Sequence, residues 1–144
     1  MKIIFTADQH IYYGDQRKAV QDMMTAIRQE RPDIVCSCGD VGEVLISRDF
    51  CLVEELFSIN PTLFIAGNHC LYTSDARYNP PQALDEFLKV MKCGIPLQTG
   101  WTDTKTIYEK DGVLFCGTIG FPCFSEPRTI MPRKYLDDGC LFCY

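Results

Sequence analysis

Apolar residues along the chain alternate between two rhythms, short continuous runs and helically spaced stripes. Residues 2–7, Lys-Ile-Ile-Phe-Thr-Ala, are apolar and rich in β-branched side chains and stop at Asp8, the pattern of a buried strand. Tyr12-Tyr13-Gly14-Asp15 interrupts it, and from about Gln16 the positions of Val20, Met23, Met24 and Ile27 share one helical face. That helix is predicted to end near Arg31-Pro32, because the residue before a proline disfavours helical geometry. Asp33–Cys38 predicts a second strand. Residues from about Ser47 to Ser58 predict a helix with Phe50, Val53, Leu56 and Phe57 on one face, and Thr62–Ala66 a third strand. Asn79-Pro80-Pro81 opens a further helix that buries Leu84, Phe87, Leu88 and Met91 and stops at Cys93-Gly94.

The order β-α-β-α-β-α, with each strand apolar on both sides, predicts an α/β fold built on a mainly parallel sheet with right-handed crossovers. From Gly94 the rhythm changes. Ile95–Gln98, Thr104–Tyr108 and Val113–Gly117 predict additional short strands, with Lys110-Asp111-Gly112 as a hairpin turn between the last two. Residues 120–134, with Pro122, Pro127 and Pro132, predict irregular loop. With no internal repeat and no linker-like stretch, residues 1–144 are expected to form a single domain.

Composition narrows the function classes. Fourteen Lys and Arg against nineteen Asp and Glu give a net charge of −5, which does not favour a chain whose main task is to neutralise nucleic-acid phosphates. The first apolar run is too short for a secretory signal or a membrane span. Nine cysteines are an odd number, and most sit in apolar runs such as Ile34-Val35-Cys36 and Leu114-Phe115-Cys116. They are expected to be small buried hydrophobes in a reducing cytoplasm. Cys36 and Cys38 would share one face of a strand, and Cys140 and Cys143 lack a second pair at zinc-finger spacing.

In a parallel α/β sheet, ligands bind beyond the C-terminal ends of the strands, where the connecting loops diverge. After the first predicted strand comes Asp8-Gln9-His10, after the second Gly39-Asp40-Val41-Gly42-Glu43, and after the third Gly67-Asn68-His69. Taken singly, each has a plain reading: an Asp caps a helix, a Gly-Asp or Gly-Asn pair turns the chain, a His hydrogen-bonds locally. Taken together they place both histidines of the chain and several oxygen donors on one rim, a set suited to Mn²⁺, Fe²⁺, Zn²⁺ or Mg²⁺.

Asp8-x-His10, Gly39-Asp40-x-x-Glu43 and Gly67-Asn68-His69, in this order and each closing a strand, resemble the first three motifs of the calcineurin-like metallophosphoesterases. The resemblance covers residues 2–70 directly and extends loosely to Val113–Gly120. It implies the N-terminal half of that family's α/β sandwich and a metal-dependent phosphoesterase acting on a phosphomono- or diester. Two metal ions about 3.5–4 Å apart would polarise the phosphoryl group and supply the nucleophile. By the same resemblance Asp8 and His10 would hold the first metal, Asp40 would bridge both, and Asn68 would hold the second. His69 would stand beside the leaving-group oxygen as general acid or electrostatic stabiliser, and Glu43 would orient a ligand through hydrogen bonds.

The chain departs from the family pattern in two places. Three further histidines, expected after the third motif, have no counterpart, since none follows His69; and the position after it, acidic in many members, is Cys70. Two arrangements fit. The chain is an N-terminal portion of a longer enzyme, in which case uncovered sheet surface should drive self-association, or it is a complete degenerate member serving as a non-catalytic metal-binding or interaction module. The stretch Val41-Gly42-Glu43 lacks the Asp-Arg-Gly continuation of the family's Ser/Thr protein phosphatases, which argues against that substrate class. Tyr12, Tyr13, Tyr72 and Tyr78 flank the rim, where they either stack on a base or sugar or pack the loops.

Overall fold

In a computed structural model of the chain, the described residues are 1–11, 16–47, 50–71, 80–97 and 106–117. Four strands form one parallel sheet in the order β1-β2-β3-β4: β1 (Ile3–Thr6), β2 (Ile34–Cys38), β3 (Thr62–Ile65) and β4 (Ile95–Pro96). Ile3 pairs with Ile34, Val35 with Thr62 and Leu63 with Ile95. The short run at Ile95 is therefore the fourth strand of the parallel sheet. The hairpin of β5 (Tyr108–Lys110) and β6 (Val113–Phe115) forms a separate two-stranded sheet.

The helices are α1 (Arg17–Glu30), α2 (Val44–Ser47), α3 (Cys51–Phe57) and α4 (Pro80–Val90). The single helix expected over Ser47–Ser58 is instead two short ones, α2 starting earlier and α3 carrying the buried Leu52, Val53, Leu56 and Phe57. The strand expected over Thr104–Tyr108 begins only at Tyr108, with Thr106 and Ile107 outside it and residues 104–105 outside the described set. Asp111 and Gly112 turn that hairpin with φ of 52° and 76°, the two positive values that a two-residue hairpin loop requires. The loop expected over 120–134 and the Cys140–Cys143 pair also lie outside the described residues.

The strand order runs in one direction, so crossovers of one hand deliver every helix to the same face. All four helices contribute to one apolar cluster with Val35 and Phe64 of the sheet, including Met24 of α1, Val44 of α2, Leu56 of α3 and Phe87 of α4. The opposite face carries a smaller cluster of Ile34, Cys36, Leu63, Leu97 and Phe115, covered by the hairpin. That cover is partial. Phe5 on β1, the edge strand among the described residues, is 67% exposed and Leu114 is 65% exposed, so the expectation that every strand is apolar and buried on both sides fails at β1. The cysteines divide similarly: Cys36 and Cys70 are buried as expected, whereas Cys38, Cys51, Cys93 and Cys116 are exposed. No helix among the described residues is long and apolar enough to cross a membrane.

The N-terminus is tied down at the opposite end of the sheet from the motifs. The Lys2 backbone N–H donates to Asp33 Oδ2 at 2.6 Å and holds that carboxyl below its usual range, while the Lys2 ammonium pairs with Glu30. β1 is thereby fixed in register before it delivers Asp8 and His10.

Because the helical face is the complete core, its residues should dominate stability. Phe87, fully buried and edge-on to Phe64 at 6.0 Å, should cost about 3–5 kcal/mol when cut to Ala. Leu114→Ala on the hairpin should stay within about 0.5 kcal/mol. Urea denaturation of the two variants reads the difference, and equal losses would contradict the assignment of layers.

Candidate metal centre

Parallel pairing delivers the chain from β1, β2 and β3 at the same edge of the sheet, and there the three sequence motifs meet. The first two loops do not diverge as expected. They stay paired beyond the sheet: the Asp8 N–H donates to the Gly39 carbonyl at 3.2 Å, His10 to Asp40 at 3.0 Å and Ile11 to Val41 at 2.9 Å. A parallel bridge between Ile11 and Gly42 closes this extension.

The extension is bought with backbone strain. Asp8, His10 and Asp40 adopt φ of 55°, 43° and 49°, in the left-handed region where a residue other than glycine costs roughly 1–2 kcal/mol. Asp and His are among the types that tolerate it best. Arg31, Asn60 and Asp111 share this geometry elsewhere in the chain; at the strand ends it falls on three of the predicted site residues.

Close approach supplies the third loop. A Cβ on Gly67 would lie 2.2 Å from Asp40 Oδ1 and 2.5 Å from the Asp40 nitrogen, and one on Gly39 would lie 3.2 Å from the Gly67 Cα. With those side chains absent, the His69 backbone N–H reaches Asp40 Oδ1 at 2.8 Å. The carboxylate is thus held by one oxygen, with lone pairs left for a cation.

The side chains converge accordingly. Donor atoms of His10, Asp40 and His69 all lie within 4.8 Å of one another, and the two imidazole rings meet edge to face with centroids 4.5 Å apart. Donors on one tetrahedral ion, each at about 2.0–2.2 Å, sit about 3.3–3.6 Å apart, so the side chains would close by up to about 1.5 Å to share an ion. Two imidazoles and a carboxylate are apt ligands for Mn²⁺, Fe²⁺ or Zn²⁺. The residues therefore fit a divalent metal.

Asp8 stands at the rim, its Oδ1 3.8 Å from His10 Nε2, with its side chain 74% exposed against 29% for His10. Glu43 Oε1 lies 3.6 Å from His69 Nδ1, so the carboxylate at this position addresses His69. Asn68 lies in the same loop, its carbonyl accepting from the Leu71 N–H at 3.1 Å at the start of a 3₁₀ turn, His69–Leu71. Cys70 is fully buried beneath the loops; burial pushes its thiol up, against the opposing pull of the Gly67, Val41 and Gly42 backbone N–H groups. The carboxylate beside His69 thus comes from Glu43, not from position 70. Tyr12, Tyr13, Tyr72 and Tyr78 lie outside the described residues.

Sequence reasoning missed two features here. Gly67, read as part of a turn, is the position that admits the Asp40 carboxylate; its signal is a glycine directly before a polar pair at a strand end. Gln9 is buried, and neither polar atom of its amide has a hydrogen-bond partner among the described residues. Nothing in the sequence distinguishes it from an exposed loop residue.

The sequence model of the calcineurin-like phosphoesterase family matches residues 1–134. No curated protein matches the chain.

If Gly67 is what lets Asp40 approach, Gly67→Ala should displace that carboxylate and weaken divalent-metal binding at least tenfold in calorimetry, with far-UV circular dichroism retained. Unchanged affinity in a folded Gly67→Ala protein would contradict this account of the loop contact.

Proposed function

Because the chain belongs to the calcineurin-like phosphoesterase family, we propose that it is a metal-dependent phosphoesterase hydrolysing a phosphomono- or diester, its three strand-end loops forming one half of the active site. The observation that carries this reading is the convergence of His10, Asp40 and His69, from three separate loops, within 4.8 Å of one another.

In this reading Asp8 and His10 would hold one ion, Asp40 would serve both, and Asn68 would offer its amide oxygen to a second. When bound, such ions polarise the phosphoryl oxygens and lower the pKa of a water that attacks phosphorus. The chain's own residues set up the rest. Asp40 is fixed by the His69 N–H, so its orientation is settled before any ligand arrives. The Asn68 amide is a neutral donor and leaves net positive charge at the centre for an anionic ester. His69, with Glu43 Oε1 3.6 Å from its Nδ1, would stand beside the leaving-group oxygen as general acid or electrostatic stabiliser.

Two features bear on substrate and setting. The absence of an Arg after Val41-Gly42-Glu43 argues against a phosphoprotein substrate, and the net charge of −5 does not favour a nucleic acid. A reducing, cytoplasmic setting is supported by Cys36, Cys38, Cys70, Cys93 and Cys116, all free thiols, with burial raising Cys36 to about 11 and keeping it protonated.

The test is hydrolysis of bis(p-nitrophenyl) phosphate and p-nitrophenyl phosphate by the intact protein with Mn²⁺. Asp40→Asn should lower the metal-stimulated rate at least 100-fold while the protein stays folded. No metal-stimulated hydrolysis in the wild type, or full activity in Asp40→Asn, would contradict the reading.

A further inference from the structure

The functional reading assigns His69 to the leaving group, yet the described donors that cluster most closely are His10, Asp40 and His69, with Asp8 out at the rim. We propose that the chain binds its first divalent ion at a mononuclear site formed by His10, Asp40 and His69, with His69 as a ligand and Glu43 as the carboxylate behind it. The inference rests on the reading that these loops bind metal and changes the role of one residue in the one-ion state.

Three observations carry it. The donor atoms of these residues already lie within 4.8 Å of one another, within a side-chain adjustment of about 1.5 Å of sharing one tetrahedral ion. The His69 backbone N–H is tied to Asp40 Oδ1 at 2.8 Å, so the main chain that carries the imidazole is anchored to the carboxylate. Glu43 Oε1 stands 3.6 Å from His69 Nδ1. A metal-bound histidine characteristically donates its non-coordinating ring N–H to a carboxylate, and a slight approach of Glu43 to Nδ1 would make that hydrogen bond and leave Nε2 to bind.

The donor set also specifies the class of ion. Two imidazoles to one carboxylate select borderline first-row ions, Zn²⁺ or Fe²⁺ before Mn²⁺, over Mg²⁺ and Ca²⁺, which prefer all-oxygen shells. The consequence is functional. With His69 coordinating, its Nε2 would have no proton to lend, so the one-ion protein would bind metal without His69 serving as a general acid.

The chain has only two histidines, which makes the test direct. In ¹⁵N-labelled protein titrated with Zn²⁺, long-range ¹H–¹⁵N spectra should show both imidazoles moving to metal-bound shifts together and saturating at one equivalent, with the His10→Gln variant providing the assignment. In calorimetry Glu43→Gln should weaken Zn²⁺ binding by about 10–100-fold. A response confined to His10, or unchanged Zn²⁺ affinity in Glu43→Gln, would overturn the proposal and leave the functional reading standing. No response at either histidine in excess Zn²⁺ would overturn both.

Discussion

The site depends on one steric permission: the backbone at Gly67 can lie against Asp40 because no Cβ intervenes. A methyl group there would fall 2.2 Å from the Asp40 carboxylate oxygen. Remove that permission and the third loop backs away, the His69 N–H loses its acceptor, and the two imidazoles no longer meet. The first two loops have their own support in the ladder that continues from Asp8–Gly39 to Ile11–Val41. Held in this way, three residues keep left-handed backbone that an unsupported chain would relax. The sheet and its helical layer act as the frame that over-determines these turns.

Much of this frame was legible in the sequence. Strands at Ile3, Ile34 and Thr62 announce themselves as β-branched or apolar runs ended by Asp or Gly, and α1 and α4 as stripes of period 3.6. Where reading failed, the cause was tertiary. The split between α2 and α3 is not encoded in spacing, because Val44 and Leu45 are buried by contacts with other elements and not by belonging to the stripe of Leu52–Phe57. Phe5 looks like a core residue by composition, and only the strand order reveals that β1 is an edge among the described residues.

The candidate site divides in the same way. Donor types and their order along the chain are sequence properties, so Asp8, His10, Asp40, Asn68 and His69 could be named from motifs alone. Which of them share a point in space is a property of φ values and glycine contacts. Glu43 illustrates the gap: sequence placed it as a residue that orients a ligand, and the fold shows that the group it addresses is the His69 imidazole. Cys70, adjacent in sequence to that imidazole, is spent on packing beneath the loops.

Anomalous diffraction from crystals of the intact protein grown with Zn²⁺, collected above and below the zinc absorption edge, tests the central claim that three strand ends build one metal centre. The account predicts a peak bonded to both His10 and Asp40, within about 2.3 Å of their donor atoms. Zinc bound only elsewhere on the protein, with no density between these two side chains, would contradict it.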